Sequence, residues 1–424
     1  MFKSNKNSKE GRAGMQPVLP IELSPKNKRV RIILAVAALV LALVMFGIFF
    51  FNLLNKPAGW RNIETLNAAG NCGYEFTLQY ELGRSDTSAT TEYKQLQRFY
   101  TQICQDAFRI FHAEETFEGM GNLASLNLNP NQPVTVDPAL YCALEQIKAS
   151  GNRNIFLANV LVEYNRIFYA ESALDAQRYD PASNEEVRAY ISALAAYAND
   201  PDAVSLELLG DNRVQLKVSA DYSAFFQQSD LDRYLDLGWL KNAFVADYLA
   251  QRLTDAGYTN GYIASYDGFT RNLDDRGNSF SQNIHDRRGM DIYLPALIQF
   301  DKPMSLVYLR DYPLLDLDRW RYAELTDGRI VSNYIDPVDG MSKAATPDLL
   351  AYAEGVGCAE IALQLSPAYV CDAFSRDAVL SLTDNGIHTV WCKDKIICYT
   401  QQDAPIELQS NGREYGYQLL HQAK

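Results

Sequence analysis

The sequence predicts an α+β domain behind a single N-terminal transmembrane helix. Three observations carry this. Ile32 to Leu54 (IILAVAALVLALVMFGIFFFNLL) holds no charged residue and is about long enough to span a bilayer. Beyond it, stretches of helical period and of alternating strand period follow one another with no internal repeat or heptad. Finally, 47% hydrophobic and 12% aromatic residues in 424 are enough to bury a sizeable core, which excludes disorder for the bulk of the chain.

Charge gives the chain a direction. Lys3, Lys6, Lys9, Arg12, Lys26, Lys28, Arg29 and Arg31 stand against only Glu10 and Glu22, so the net charge of −13 arises wholly beyond residue 31. A basic flank before an apolar span places the N-terminus in the cytoplasm and the rest outside. The span is too long for a signal-peptide core and lacks a good small-residue cleavage site after it. An acidic remainder lacks the basic footprint that nucleic acid requires. The expected organisation is a basic cytoplasmic segment (1–31), the membrane helix (32–54), a linker (55–70), one large domain (71–410) and a C-terminal tail (411–424).

Within the domain, Tyr74 to Leu82 alternates Phe76, Leu78 and Tyr80 with polar residues, as a half-buried strand should. A helix opens at Thr90 or Thr91 and reaches about His112, with Leu96, Tyr100, Ile103 and Ala107 on its apolar stripe. His112 at its end suits a cation facing the helix dipole. Asp137-Pro138 reads as an N-cap followed by proline at the first helical position. Ser183-x-x-Glu186 reads as a capping box for another helix. Val204 to Leu209 and Val214 to Val218 form a hairpin around Gly210-Asp211-Asn212. Met290 to Phe300, Met304 to Leu309, Glu360 to Leu365, His388 to Trp391 and Ile396 to Thr400 are expected to make up one sheet.

The domain is organised around Tyr234 to Phe269. Asp236-Leu237-Gly238 precedes a helix whose apolar face carries Leu240, Phe244, Tyr248, Leu249 and Leu253. Gly257 stops it, because glycine reaches the left-handed cap most easily. Tyr258 to Ser265 then reads as a strand that delivers the turn Tyr266-Asp267-Gly268. Ligands commonly sit at such strand and helix ends, where backbone N–H groups are free.

Seven cysteines in an odd set without metal spacing indicate neither a disulfide framework nor a zinc site. Cys104 and Cys142 fall on apolar helix faces as buried thiols. Cys392 and Cys398 flank a turn at Lys393-Asp394-Lys395 and would pair if the register allows it. His112, His285, His388 and His421 are the only histidines, and none stands beside a recognisable nucleophile motif. No phosphate loop, HExxH or EF-hand pattern occurs.

The order Asp-Leu-Gly, helix, Gly-x-x-Asn, strand and Gly-containing turn resembles the ApbE-type flavin transferases (FAD:protein FMN transferases). Asp327 to Gly340 (DGRIVSNYIDPVDG) is similar to that family's DG-x-x-x-S-H-I-I-D-P-x-T-G, retaining Ser332, Ile335, Asp336, Pro337 and Gly340. Cys371 to Arg376 (CDAFSR) resembles its metal motif A-D-x-x-x-T. The resemblance spans most of residues 71 to 402 and implies a T-fold-like α+β flavin transferase domain. It further implies FAD as the bound cofactor, with Gly238, Asn242, Asp336 and Gly340 at the flavin site. Asp372 would hold Mg²⁺ on the pyrophosphate, where a cation neutralises charge and polarises phosphorus. The acceptor would be a serine or threonine of an exported protein, or a redox partner.

The departures from the family pattern fall at the chemistry. Asn242 stands where the family has lysine, Asn333 where it has histidine, Asp339 where it has threonine, and Arg376 at a metal-ligating hydroxyl. A fixed guanidinium there would repel Mg²⁺ or replace it by pairing with Asp372. Three readings follow. One is a membrane-anchored extracytoplasmic FMN transferase. Another is a pseudoenzyme of the same fold that binds flavin or nucleotide, or serves as an interaction module of the envelope. An unrelated surface-binding domain is the third, with the motif order a coincidence.

Overall fold

Two neighbouring strands in the middle of the domain carry apolar residues on both faces, and this sets its architecture. In Met304–Arg310, Met304, Leu306 and Tyr308 belong to one core while Val307 and Leu309 belong to the other. In Asp348–Ala353, Leu350 and Tyr352 point one way and Leu349, Ala351 and Ala353 the other. Successive side chains of a strand alternate between faces, so a sheet with both faces buried reads as a continuous apolar run.

The computed structural model describes residues 28–54, 57–67, 69–289, 291–409 and 414–420, in two units, Met1–Lys56 and Pro57–Lys424. In the first, the helix Lys28–Leu54 starts slightly earlier than expected. Among the described residues it is the one helix long and apolar enough to cross a membrane. The polar segment before it lies outside the described residues.

The second unit is built on a nine-stranded sheet. Its order is Gly59–Ile63, Phe76–Leu82, Gly261–Ser265, Phe269–Asn272, Met304–Arg310, Asp348–Ala353, His388–Lys393, Ile396–Tyr399 and Gly416–Leu419. Neighbours run antiparallel except the last two, which are parallel. Thus the expected linker supplies one edge strand, and the stretch expected to be a tail supplies the other.

Helices cover one face. Ala89–Ile110, Pro138–Ser150, Lys241–Asp255 and Cys358–Tyr369 contribute to the larger core. On the other face lies a small sheet, Ile406–Leu408, Asp291–Phe300 and Phe280–Arg288. The strand near Met290 to Phe300 therefore belongs to this second layer rather than to the main sheet. Phe280–Arg288, its hairpin partner, was not anticipated, because its polar composition hides the alternation.

Four further expectations are corrected. Glu360 to Leu365 is helical, inside Cys358–Tyr369. Its short apolar run is ambiguous by period, but Asp247 accepts the Cys358 and Ala359 N–H groups at 2.8 Å each and starts a helix there. The helix Glu185–Asn199 is capped by Asn184, while Ser183 instead donates to Asp180 at 2.7 Å. Cys142 is exposed. Cys392 faces Ile397 across the hairpin, and Cys398 faces Trp391. The two thiols therefore point to opposite faces and cannot bridge.

The start of Asp348–Ala353 has a consequence for pH. The Asp348 carboxyl is buried and accepts from the Tyr312 hydroxyl at 3.0 Å. Burial pushes its pKa up to about 8, with Asp311 and Asp286 adding repulsion and Arg310 opposing it. An unfolded aspartate titrates near 3.9, so between those values the native state holds a proton that unfolding releases. Stability should fall as pH climbs from about 4 to about 8. In Asp348→Asn that fall should be flattened, which melting curves across this range will read. An unchanged slope in the variant would remove Asp348 as its source.

Candidate functional site

The organising stretch folds as its local chemistry requires. Asp236 accepts the Gly238 N–H at 2.8 Å in an Asx turn. Gly238 sits at φ +54, where a Cβ would also lie 2.8 Å from Leu161 Cδ1. A 3-10 turn, Gly238–Leu240, then feeds the helix Lys241–Asp255. Leu240, Phe244, Leu249 and Leu253 are buried, while Tyr248 is half-buried against the core. Gly257 at φ +81 ends the helix.

The start of this helix borders a polar cleft of about 310 Å³. Tyr74, Glu75, His112, Arg233, Asp236 and Lys241 are among its lining residues, with Gly238 at its edge. Its charges are paired: Lys241 binds Glu75 at 3.0 Å, and Arg233 binds Asp236 at 3.3 Å as well as Glu114. Burial opposes the Lys241 charge, but Glu75 outweighs it and holds the ammonium above the usual lysine range. His112 differs from its expected role. Its Nδ1 accepts the N–H groups of Glu114 (3.2 Å) and Glu115 (3.0 Å), so it serves the turn that follows the helix rather than the helix end.

Asn242 faces the interior. It is buried, and its Nδ2 donates to Asp267 Oδ2 at 3.0 Å. Burial raises the Asp267 carboxyl above its ordinary value, while Arg321 pulls it down. The neighbouring turn is filled solid. Arg321 lies over the Tyr266 ring at 5.1 Å and pairs with buried Asp318, and Arg310 stands 3.8 Å from the same carboxylate. Trp239 packs edge-on against Tyr334 at 5.3 Å, and Tyr334 against Tyr369 at 5.1 Å. Gly268, at φ +107, lies so close to the Tyr308 carbonyl that a Cβ would stand 2.2 Å from its oxygen.

Asp336 to Gly340 forms a tight turn. Gly340 N–H donates to the Asp336 carbonyl at 2.8 Å, and Val338 N–H to the Asp336 side chain at 2.9 Å. Gly340 adopts φ +76, with Ile191 Cγ2 2.6 Å from where a Cβ would be. It shapes the turn and packs it. Just beyond, the Lys343 ammonium lies 2.9 Å from Asp336, 2.8 Å from Asp339 and 3.0 Å from Asp372. Burial opposes this charge, yet bonds to the three carboxylates hold it above the usual lysine range.

The structure thus brings Asp336, Gly340 and Asp372 together, and sets Gly238 and Asp236 at a different cleft with Asn242 buried behind. The ion-pair partner of Asp372 is Lys343 and not Arg376. Arg376 begins the short helix Arg376–Ser381, capped by Ser375. A divalent metal does not fit this arrangement: an ammonium already stands among the carboxylates that would ligate it. Among the described residues no three His, Cys, Asp or Glu side chains gather as a metal cage. A hard cation needs several oxygen ligands. Lys343 lies three residues beyond the Asp327–Gly340 motif, and its spacing of four from Asp339 is the one signal of it in the sequence.

No family model and no curated sequence matches the chain. Solved structures do. The ApbE protein of Thermotoga maritima superposes with a TM-score of 0.53 at 15% identity, covering 83% of this chain and 97% of that one. The flavin transferase ApbE from Vibrio cholerae gives 0.51 at 12% identity, covering 85% of this chain and 100% of its own. The chain has the ApbE-type fold.

Proposed function

From an ApbE-type fold as premise, we propose that this protein is a membrane-anchored, extracytoplasmic flavin- or nucleotide-binding module that does not carry out metal-assisted FMN transfer. The single observation behind this is Lys343. An ammonium ringed by Asp336, Asp339 and Asp372 occupies the place where the family resemblance puts Mg²⁺. A lysine charge held this way can neutralise carboxylates, but it offers no open coordination position to polarise a phosphoryl group. Binding falls to the cleft at the start of the helix Lys241–Asp255. There the Tyr74 ring offers a stacking surface, and Lys241 and Arg233 offer cations that a phosphate would share with their carboxylate partners. Its volume lies at the low end of ligand pockets, enough for one ring system of a dinucleotide. Asn242 supports it from behind by fixing Asp267. The protein partner, if one docks, is an exported redox or acceptor protein.

The test uses the full chain in detergent, with FAD, FMN and ADP titrated in EDTA or in Mg²⁺, and a flavin-acceptor protein added afterwards. The expected result is flavin retained through desalting with equal affinity in both buffers, and no FMN-sized mass on the acceptor. Magnesium-dependent transfer, or no nucleotide binding by folded protein, would overturn the reading.

A further inference from the structure

Two of the seven cysteines meet where neither stands near the other in sequence. Cys72 opens the turn before the strand Phe76–Leu82, and Cys104 lies within the helix Ala89–Ile110. The Cys72 N–H donates to the Cys104 carbonyl at 3.3 Å, and the Cys72 thiol reaches the same oxygen at 3.4 Å. Both residues are buried, at 2% and 0% exposure. A main-chain hydrogen bond between two residues brings their α-carbons to about the separation that a disulfide spans. The other five thiols lack this arrangement. Cys142 is exposed, Cys371 is half-buried with its thiol on backbone carbonyls, and Cys392 and Cys398 point apart. Cys358 is buried against the carbonyls of Thr270 and Leu306.

We infer that Cys72 and Cys104 form a disulfide in the exported protein, and that this bond fixes one wall of the nucleotide cleft. The inference rests on the extracytoplasmic placement proposed above, since only an oxidising compartment keeps such a bond. Cys72 lines the cleft, and the exchange that closes the bond takes place during folding, before either cysteine is buried, with a protein disulfide of the exported compartment as oxidant. The Cys72 thiolate attacks one sulfur of that disulfide and releases the other as a thiol. Cys104, having lost its proton to solvent, then attacks the Cys72 sulfur of the mixed disulfide. One sulfur–sulfur bond forms within the chain, the donor disulfide is reduced to a dithiol, and two electrons pass to it. The bond ties the Gly73–Glu75 turn, whose Glu75 holds Lys241, to the helix carrying Phe108 of the same cleft. It closes a loop of the kind whose cross-linking constrains the unfolded chain.

The full chain is produced in its membrane, thiols are trapped in intact cells by acid and alkylated before any reduction, and the protein is digested without reductant. The expected peptide pair joins Cys72 to Cys104 and separates with dithiothreitol, while the other cysteines carry the alkyl group. Dithiothreitol should also lower the Tm of wild type by several degrees and leave that of Cys72→Ser and Cys104→Ala unmoved. Alkyl groups on both residues in the trapped cells, or a fall in Tm with reductant as large in the variants as in wild type, overturn the inference. A glutathione redox titration of purified wild type separates the two ways to fail. A pair that closes in vitro but is open in cells speaks against the extracytoplasmic placement. A pair that never closes speaks against the geometry, and neither outcome touches flavin binding.

Discussion

Arg321→Leu is expected to lower the unfolding free energy by about 3–5 kcal/mol, the usual cost of stripping a buried ion pair of one partner. Asp318, fully buried, accepts the N–H groups of Leu314 (2.7 Å) and Leu315 (3.0 Å) and is neutralised by Arg321. Without the guanidinium its charge faces only Arg310, at 3.8 Å. The same side chain lies over Tyr266 at 5.1 Å and Tyr322 at 5.2 Å, so the loss includes packing as well as charge. Arg321→Lys should fall between, keeping the charge but not the planar stack. Denaturant midpoints will read the series. A leucine variant as stable as wild type would mean that Asp318 is not ionised in the fold.

Lys343→Gln is expected to have the second largest effect, and of a different kind. Removing the ammonium leaves Asp336, Asp339 and Asp372 facing one another, at a cost of about 2 kcal/mol for the charged hydrogen bonds lost. Much of the cost should fall on Asp336, since the Asp372 side chain is 82% exposed. With the ammonium gone, the three side chains can converge on an added cation and make a weak hard-metal site, of about millimolar affinity. The variant should therefore regain its Tm on adding Ca²⁺ or Mn²⁺, whereas wild type should not respond. Mn²⁺ spin resonance gives the same answer without melting. Stoichiometric Mn²⁺ binding by wild type would show that the lysine yields its place.

How much of this was legible depended on the range of the interactions. Local chemistry was readable: the cap at Asp137, the hairpin turn with Asp211 and Asn212 at positive φ, and the stop at Gly257 all require particular residues at particular places. The buried stripe of the helix Lys241–Asp255 was readable for the same reason, because period alone defines a face. Contacts between distant segments were not. The helix at Cys358 is started by Asp247, more than a hundred residues away, and nothing near Glu360 announces that. Register decided the fate of Cys392 and Cys398, and the fold that of Cys72 and Cys104. At the candidate site, the motif led to Asp336 and Asp372 but not to the lysine between them, since a motif records which residues are shared and not which cation they face.

The parallel edge strand Gly416–Leu419 has a practical consequence for anyone shortening or tagging this protein. It shields the outer side of Ile396–Tyr399, whose Ile397 and Cys398 are buried. Cutting the polypeptide back to residue 410 would leave that row of amide and carbonyl groups without neighbours, a template on which another molecule can add its own strand. Clumping of such a truncate would then report a lost cover and not a misfolded interior.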